Sequence, residues 1–227
     1  MLIIRTATTI FLFTCSCLRM NFVGFFLQRF NIFGTYEIQP FPIIAEHPSQ
    51  DTISFKQIGP SHNGYGAEIC KTYRLENNQL ILDIEVTNTG AKTLDFSEYQ
   101  HNFVSLEQKP VGPGYVLELP CDKNLSQLED ATLSWGDERH LDSAVYLKEH
   151  SVHWKDFMDE KVLYHESYEV DSQAPARWTL RHENSSVSVS EEVDFTPSMI
   201  IVWSVEHCVC AELYYNAKIL PGDTARW

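Results

Sequence analysis

From Thr35 onward, apolar and polar residues alternate along the chain with a period of two. The clearest stretch is Leu80, Leu82, Ile84 and Val86, with Asp83, Glu85 and Thr87 on the opposite parity. That spacing predicts a strand on a half-buried sheet, because successive side chains of a strand point to opposite faces. Tyr73 and Leu75 precede it across a Glu76–Gln79 turn, which makes the pair a hairpin. Asn88-Thr-Gly90 breaks the pattern and Leu94–Leu106 resumes it. Gly112-Pro-Gly114 is a turn ahead of alternating Tyr115–Leu119. Trp178–Arg181 and Ser186–Val193 read as strands about a polar His182–Ser185 turn. Met199–Val205 is a continuous apolar run, as expected of a central strand covered on both faces. Tyr146–Met158 comes nearest to a helical spacing, though its apolar positions fit poorly. Many short strands joined by polar turns predict an all-β chain built as a large antiparallel β-sandwich.

The first 33 residues differ. Arg5 is followed by thirteen uncharged, largely apolar residues, Thr6–Leu18, before Arg19. That run is too short to span a bilayer as a helix. Three readings compete: an export signal, a buried strand pair, or a shifted start. Poor alternation predicts that residues 1–33 form a segment apart from a sandwich domain at 34–227 and contribute no sandwich strands. A shifted start leaves the protein cytoplasmic. A working signal exports it, and the sequons at Asn124 and Asn184 would then matter.

The net charge of −14 argues against nucleic acid as a partner, since that needs a basic face. Six cysteines form neither a disulfide framework nor a zinc-finger spacing. His150-Ser-Val-His153 supplies two imidazoles, but spacing places no third ligand beside them. No metal and no cofactor are expected.

Two segments carry candidate chemistry. In Glu98-Tyr-Gln-His-Asn-Phe103, His101 shares a strand face with Tyr99 and Phe103. Glu212 shares its face with Cys208, Cys210 and Tyr214. Read from residues alone, His101 is either a hydrogen-bonded core histidine or a proton carrier. Glu212 is either a solvated carboxylate or a partly buried one with a raised pKa. Phe103, Trp178 and Trp203 offer apolar ring faces on which a ligand could stack, and His207 is a further polar candidate. Cys208 has no base beside it and is set aside as a nucleophile.

Several stretches resemble the galactose mutarotase-like (aldose 1-epimerase-like) family in chain order. These are Lys71–Leu80, Val86–Gly90, Glu98–Phe103, Pro110–Tyr115 with Leu119-Pro120, then Val202-Trp203, Glu212, Pro221-Gly222 and Trp227. The resemblance covers Thr35–Trp227. It implies the family's supersandwich and a sugar as small-molecule partner. It also implies His101 and Glu212 as the acid–base pair of anomer interconversion. The two side chains are then expected to face one cleft, several ångströms apart, with a pyranose between them. The family's further arginine and His-Gly-Gly-like histidine have no counterpart in Met1–Phe33, so the resemblance implies an N-terminally incomplete domain. A carbohydrate-binding module without turnover and an inactive fragment are the alternatives.

Overall fold

The computed structural model describes residues 2–5, 12–20, 42–120, 144–159, 163–167 and 175–227. Asn124, Cys121 and most of the apolar leading segment lie outside them. The chain divides into two compact units, Met1–Cys17 with Tyr99–Tyr215, and Leu18–Glu98 with Asn216–Trp227. The described elements are strands, and every pairing resolved between them is antiparallel.

The second unit is built on a meander of β3 (Ile43–Ser49), β4 (Thr52–Ile58), β5 (Ala67–Glu76) and β6 (Gln79–Asn88). The predicted hairpin is β5–β6, and Ile84 and Val86 are buried as their parity requires. At its end Asn88 is buried, and its side-chain amide donates to the carbonyls of Lys92 and Ile219, 2.8 and 2.9 Å away. Its Oδ1 accepts from the Gly90 amide. A Cβ on Gly90 would stand 2.6 Å from both the Gly64 carbonyl oxygen and the Gly66 amide nitrogen, so only glycine fits this turn. The last strand, β16 (Thr224–Arg226), pairs with β6, and the Trp227 indole donates to the buried Glu98 carboxylate at 3.1 Å.

The first unit holds two groups of strands. In one, the order is β1 (Leu2–Arg5), β13 (Ser188–Val193), β12 (Ala176–His182), β8 (Tyr115–Glu118), β10 (Ser151–Trp154), β9 (Val145–Lys148). The other is a five-stranded sheet in the order β11 (Leu163–Ser167), β14 (Met199–Val205), β15 (Cys208–Ile219), β7 (Leu94–Val104), β2 (Leu12–Met20). Leu117, Val152, Trp178, Leu180, Val202, Val209 and Ala211 are all buried to within 2%. The Trp154 indole N–H reaches Ser204 Oγ at 3.3 Å, joining the two sheets through this core.

Tyr146–Met158, whose 3.6-residue spacing is poor, forms the β9–β10 hairpin about a Glu149-His150 turn, in keeping with the all-β reading. One expectation is corrected here. The leading segment does supply strands. β1 pairs with β13 from Leu2↔Glu191 to Arg5↔Ser188, and β2 lies beside β7. No helix among the described residues is long and apolar enough to cross a membrane.

Asn88→Ala strips the buried Ile219 carbonyl and the part-buried Lys92 carbonyl of their donor. Leaving buried polar groups unpaired predicts a loss of about 2–4 kcal/mol, read as a lower urea midpoint at unchanged slope.

Candidate functional site

Burial along β7 alternates. Glu98, Asn102 and Val104 are buried on one face, while Tyr99, His101 and Phe103 are half-buried on the other. On neighbouring β15, Cys208, Cys210, Glu212 and Tyr214 share a face and are all buried. The β14 register sets Trp203 opposite Cys210 and Ile201 opposite Glu212. Three adjacent strands therefore bring His101, Phe103, Trp203, Cys210, Glu212 and Tyr214 onto one patch of sheet.

His101 Nε2 stands 3.3 Å from Glu212 Oε1. Phe103 stacks on the imidazole with ring centres 4.1 Å apart, and Trp203 meets it edge-on at 5.5 Å. Nδ1 of His101 is buried without a hydrogen-bond partner among the described residues, so no acceptor locks the ring in one tautomer. On the other side of the carboxylate, the Tyr214 hydroxyl donates to Glu212 Oε2 at 3.1 Å. Tyr99 stacks on Tyr214 at 4.4 Å. The Cys210 thiol lies 4.0 Å from Glu212 Oε1.

Burial governs the electrostatics. It pushes the Glu212 carboxyl up to about 7, against a smaller opposing pull from the Tyr214 hydrogen bond. It pushes the His101 imidazole below its ordinary 6.5. The Cys210 thiol is driven well up, first by burial and then by the Glu212 charge. Desolvation disfavours each charged form. Near neutral pH the pair is thus a neutral imidazole beside a carboxyl that is about half protonated.

Of the residues singled out from sequence, His101, Glu212, Phe103 and Trp203 come together. Trp178 and His207 do not join them. Trp178 is 1% exposed and its indole N–H is held by Glu191 Oε2 at 2.7 Å, so it presents no free face. His207 is exposed in the two-residue turn between β14 and β15, five positions before Glu212. The His150/His153 pair is not a donor set either, since His153 Nε2 faces Ser151 Oγ at 2.9 Å and its ring stacks on Tyr146. Tyr214 and Cys210 were legible as face-mates of Glu212, but their contacts with its carboxylate need the fold. One expected distance is corrected. His101 and Glu212 are in contact at 3.3 Å, which leaves no ring's width between them.

Solved structures share this architecture. A galactose mutarotase related enzyme from Lactobacillus acidophilus superimposes with a TM-score of 0.57 at 16% identity, over 81% of this chain and 68% of that one. A galactose mutarotase-like protein from Lactobacillus casei gives 0.56 at 15% identity, over 81% and 70%.

The chain has the galactose mutarotase-like fold.

A Synechocystis protein shares it too, with a TM-score of 0.57 at 12% identity, over 82% of this chain and 63% of that one. The chain spans about two thirds of the length of these mutarotase-like structures. No family model matches the sequence, and no curated protein does.

The raised Glu212 value has a consequence for stability. The folded chain holds this proton more tightly than the unfolded one, whose carboxyl stays near 4.5. Stability from this group is therefore complete below about 4.5 and is lost as pH rises toward about 7. Uncharged Glu212→Gln escapes the loss. Its stability relative to the parent should improve by about 2 kcal/mol between pH 5 and pH 8 in urea denaturation.

Proposed function

We propose that the chain is a carbohydrate-binding, aldose 1-epimerase-like isomerase that interconverts sugar anomers, with His101 and Glu212 as its acid–base pair. One observation carries this reading. A base-capable nitrogen and an acid-capable oxygen stand 3.3 Å apart on one sheet face, walled by aromatic rings. An anomeric carbon bears two oxygens, the C1 hydroxyl and the ring oxygen. Groups that serve both must stand side by side, which is how Nε2 and Oε1 stand.

In the neutral pair, His101 Nε2 takes the C1 hydroxyl proton while Glu212 gives its proton to the ring oxygen. The C1–ring oxygen bond breaks and the C1–hydroxyl oxygen bond becomes a carbonyl. The pair is then imidazolium and carboxylate, and their contact stabilises both charges. After rotation about the C1–C2 bond, the freed hydroxyl attacks the other face of the carbonyl. Glu212 takes that hydroxyl's proton and His101 returns one to the C1 oxygen. Each turnover leaves the pair as it began, with no net proton exchanged. Tyr214 holds Oε2, which leaves Oε1 as the working oxygen. The Phe103 and Trp203 rings supply apolar surface suited to sugar C–H faces. The strongly acidic chain fits a neutral sugar better than an anionic one.

Polarimetry on fresh α-glucose and α-galactose, corrected for the spontaneous rate, tests the reading. His101→Asn and Glu212→Gln should each slow anomer interconversion by ~10²–10⁴ while sugar binding persists. Parental rates in both variants would make the two residues structural. Parent protein that binds sugar yet matches the buffer blank would point to a binding module without turnover.

The pH profile should be a narrow bell near neutrality. Protonating the imidazole below its lowered value removes the base, and ionising the carboxyl above about 7 removes the acid. The two limbs belong to the pair, because the groups are in contact. A rate that climbs steadily from pH 5 to pH 9 would be inconsistent with this assignment.

A further inference from the structure

The same sheet face carries a third donor that anomer chemistry does not use. Among the described residues, one group of three metal-ligating side chains converges: His101, Cys210 and Glu212, with all ligand atoms within 4.8 Å of one another. We propose that these three residues bind a divalent cation of the Zn2+ class, and that the bound cation occupies the atoms assigned to acid–base work. The first half is independent of the isomerase reading, and the second half rests on it.

Geometry supports the site. Bonds of about 2.0 Å to nitrogen and oxygen and about 2.3 Å to sulfur, in a tetrahedron, set the ligand atoms roughly 3.3–3.6 Å apart. Here Nε2–Oε1 is 3.3 Å and Sγ–Oε1 is 4.0 Å. The third pair, Nε2 and Sγ, lies within 4.8 Å, so the set has to draw in on binding to reach tetrahedral spacing. Cys210 and Glu212 are two apart on β15 and His101 lies on neighbouring β7, so the fold fixes the three donors to one face. The carboxylate is also oriented from behind. Tyr214 donates to Oε2, the kind of supporting hydrogen bond that aims a metal ligand. Phe103 and Trp203 hold the imidazole plane.

Chemistry selects the ion. One thiolate, one carboxylate and one imidazole bring two negative charges and a mixed sulfur, oxygen and nitrogen set. Such donors suit Zn2+ and Co2+ and disfavour Mg2+ and Ca2+, which take oxygen ligands. Three protein donors leave a fourth tetrahedral position open. Binding displaces protons from the thiol and from any protonated carboxyl. It also ties up His101 Nε2 and Glu212 Oε1, so metal and anomer exchange should exclude each other.

Co2+ titration of the full chain, read by absorption, tests this directly. The expected result is saturable binding of a single Co2+ per chain, with a thiolate-to-cobalt band in the near ultraviolet and intense tetrahedral visible bands. Zn2+ should abolish both. Cys210→Ser should remove the near-ultraviolet band, while Cys208→Ser keeps it. Glu212→Gln should weaken binding by at least about tenfold, as loss of a direct ligand should exceed loss of a supporting contact. Should Cys210→Ser fail to fold by near-UV circular dichroism, His101→Gln takes its place and must lose visible-band intensity. A band that survives Cys210→Ser, a band lost in Cys208→Ser instead, or no saturable binding would each overturn the site. The spectra need no sugar, so a cobalt site in a chain without turnover would sink only the isomerase reading. If the chain does turn over sugar, equimolar Zn2+ should stop it, and unaffected turnover with the site filled would overturn the second half.

Discussion

Side-by-side placement of β7 and β15 is the constraint on which the candidate site depends. Each strand alone carries an ordinary sequence. Hydrogen bonding between them puts an imidazole and a carboxylate within 3.3 Å, over a face whose period-two pattern also lines up a thiol, a phenol and two further aromatic rings. A contact made by two neighbouring strands costs little additional ordering, because the backbone that carries it is fixed by sheet formation already. That is also why the pair is touching and not facing across a ring's width.

Burial then gives the pair its character, and a second carboxylate shows what the surroundings decide. Glu98 is also buried and its pKa is also raised by burial, but Lys71 Nζ stands 3.6 Å away and the Trp227 indole donates to it. A cation and a donor make Glu98 an anchor, holding the last residue of the chain to its unit. Glu212 has no cation among its described contacts, only a phenol, a thiol and an imidazole that is itself driven neutral. The same desolvation acts on a carboxyl tied to a cation and an indole donor in one place, and on one left beside a working imidazole in the other.

Much of the fold was legible because half-buried strands announce themselves. The β5–β6 hairpin, β7, β8, β12, β13 and β14 all fall where alternation or an apolar run predicts them. Tyr146–Met158 was not, since strands of four residues are too short to establish a period. The Leu2–Arg5 strand was not, since an apolar run lacks the polar face that would mark it. The site was legible as face-mates: Tyr99, His101 and Phe103 on one strand, Cys208 to Tyr214 on another. Their joining was not, because strand order within a sheet is a long-range outcome that periodicity leaves open. Trp178 shows the reverse error. An indole on a short strand reads more readily as core than as a sugar platform, and the burial of Trp178 with its Glu191 acceptor decides for core.

The alternation along β7 also limits how this chain can evolve. His101 faces the patch and Asn102 faces the core because one residue separates two sides of a sheet. A single-residue insertion or deletion within Leu94–Val104 that is not absorbed as a bulge would exchange the two faces for every residue on one side of it. Length variation should therefore be confined to turns such as Glu206-His207, while the sheet face diversifies only by substitution. A lineage altering its ligand would have to repaint this surface one side chain at a time.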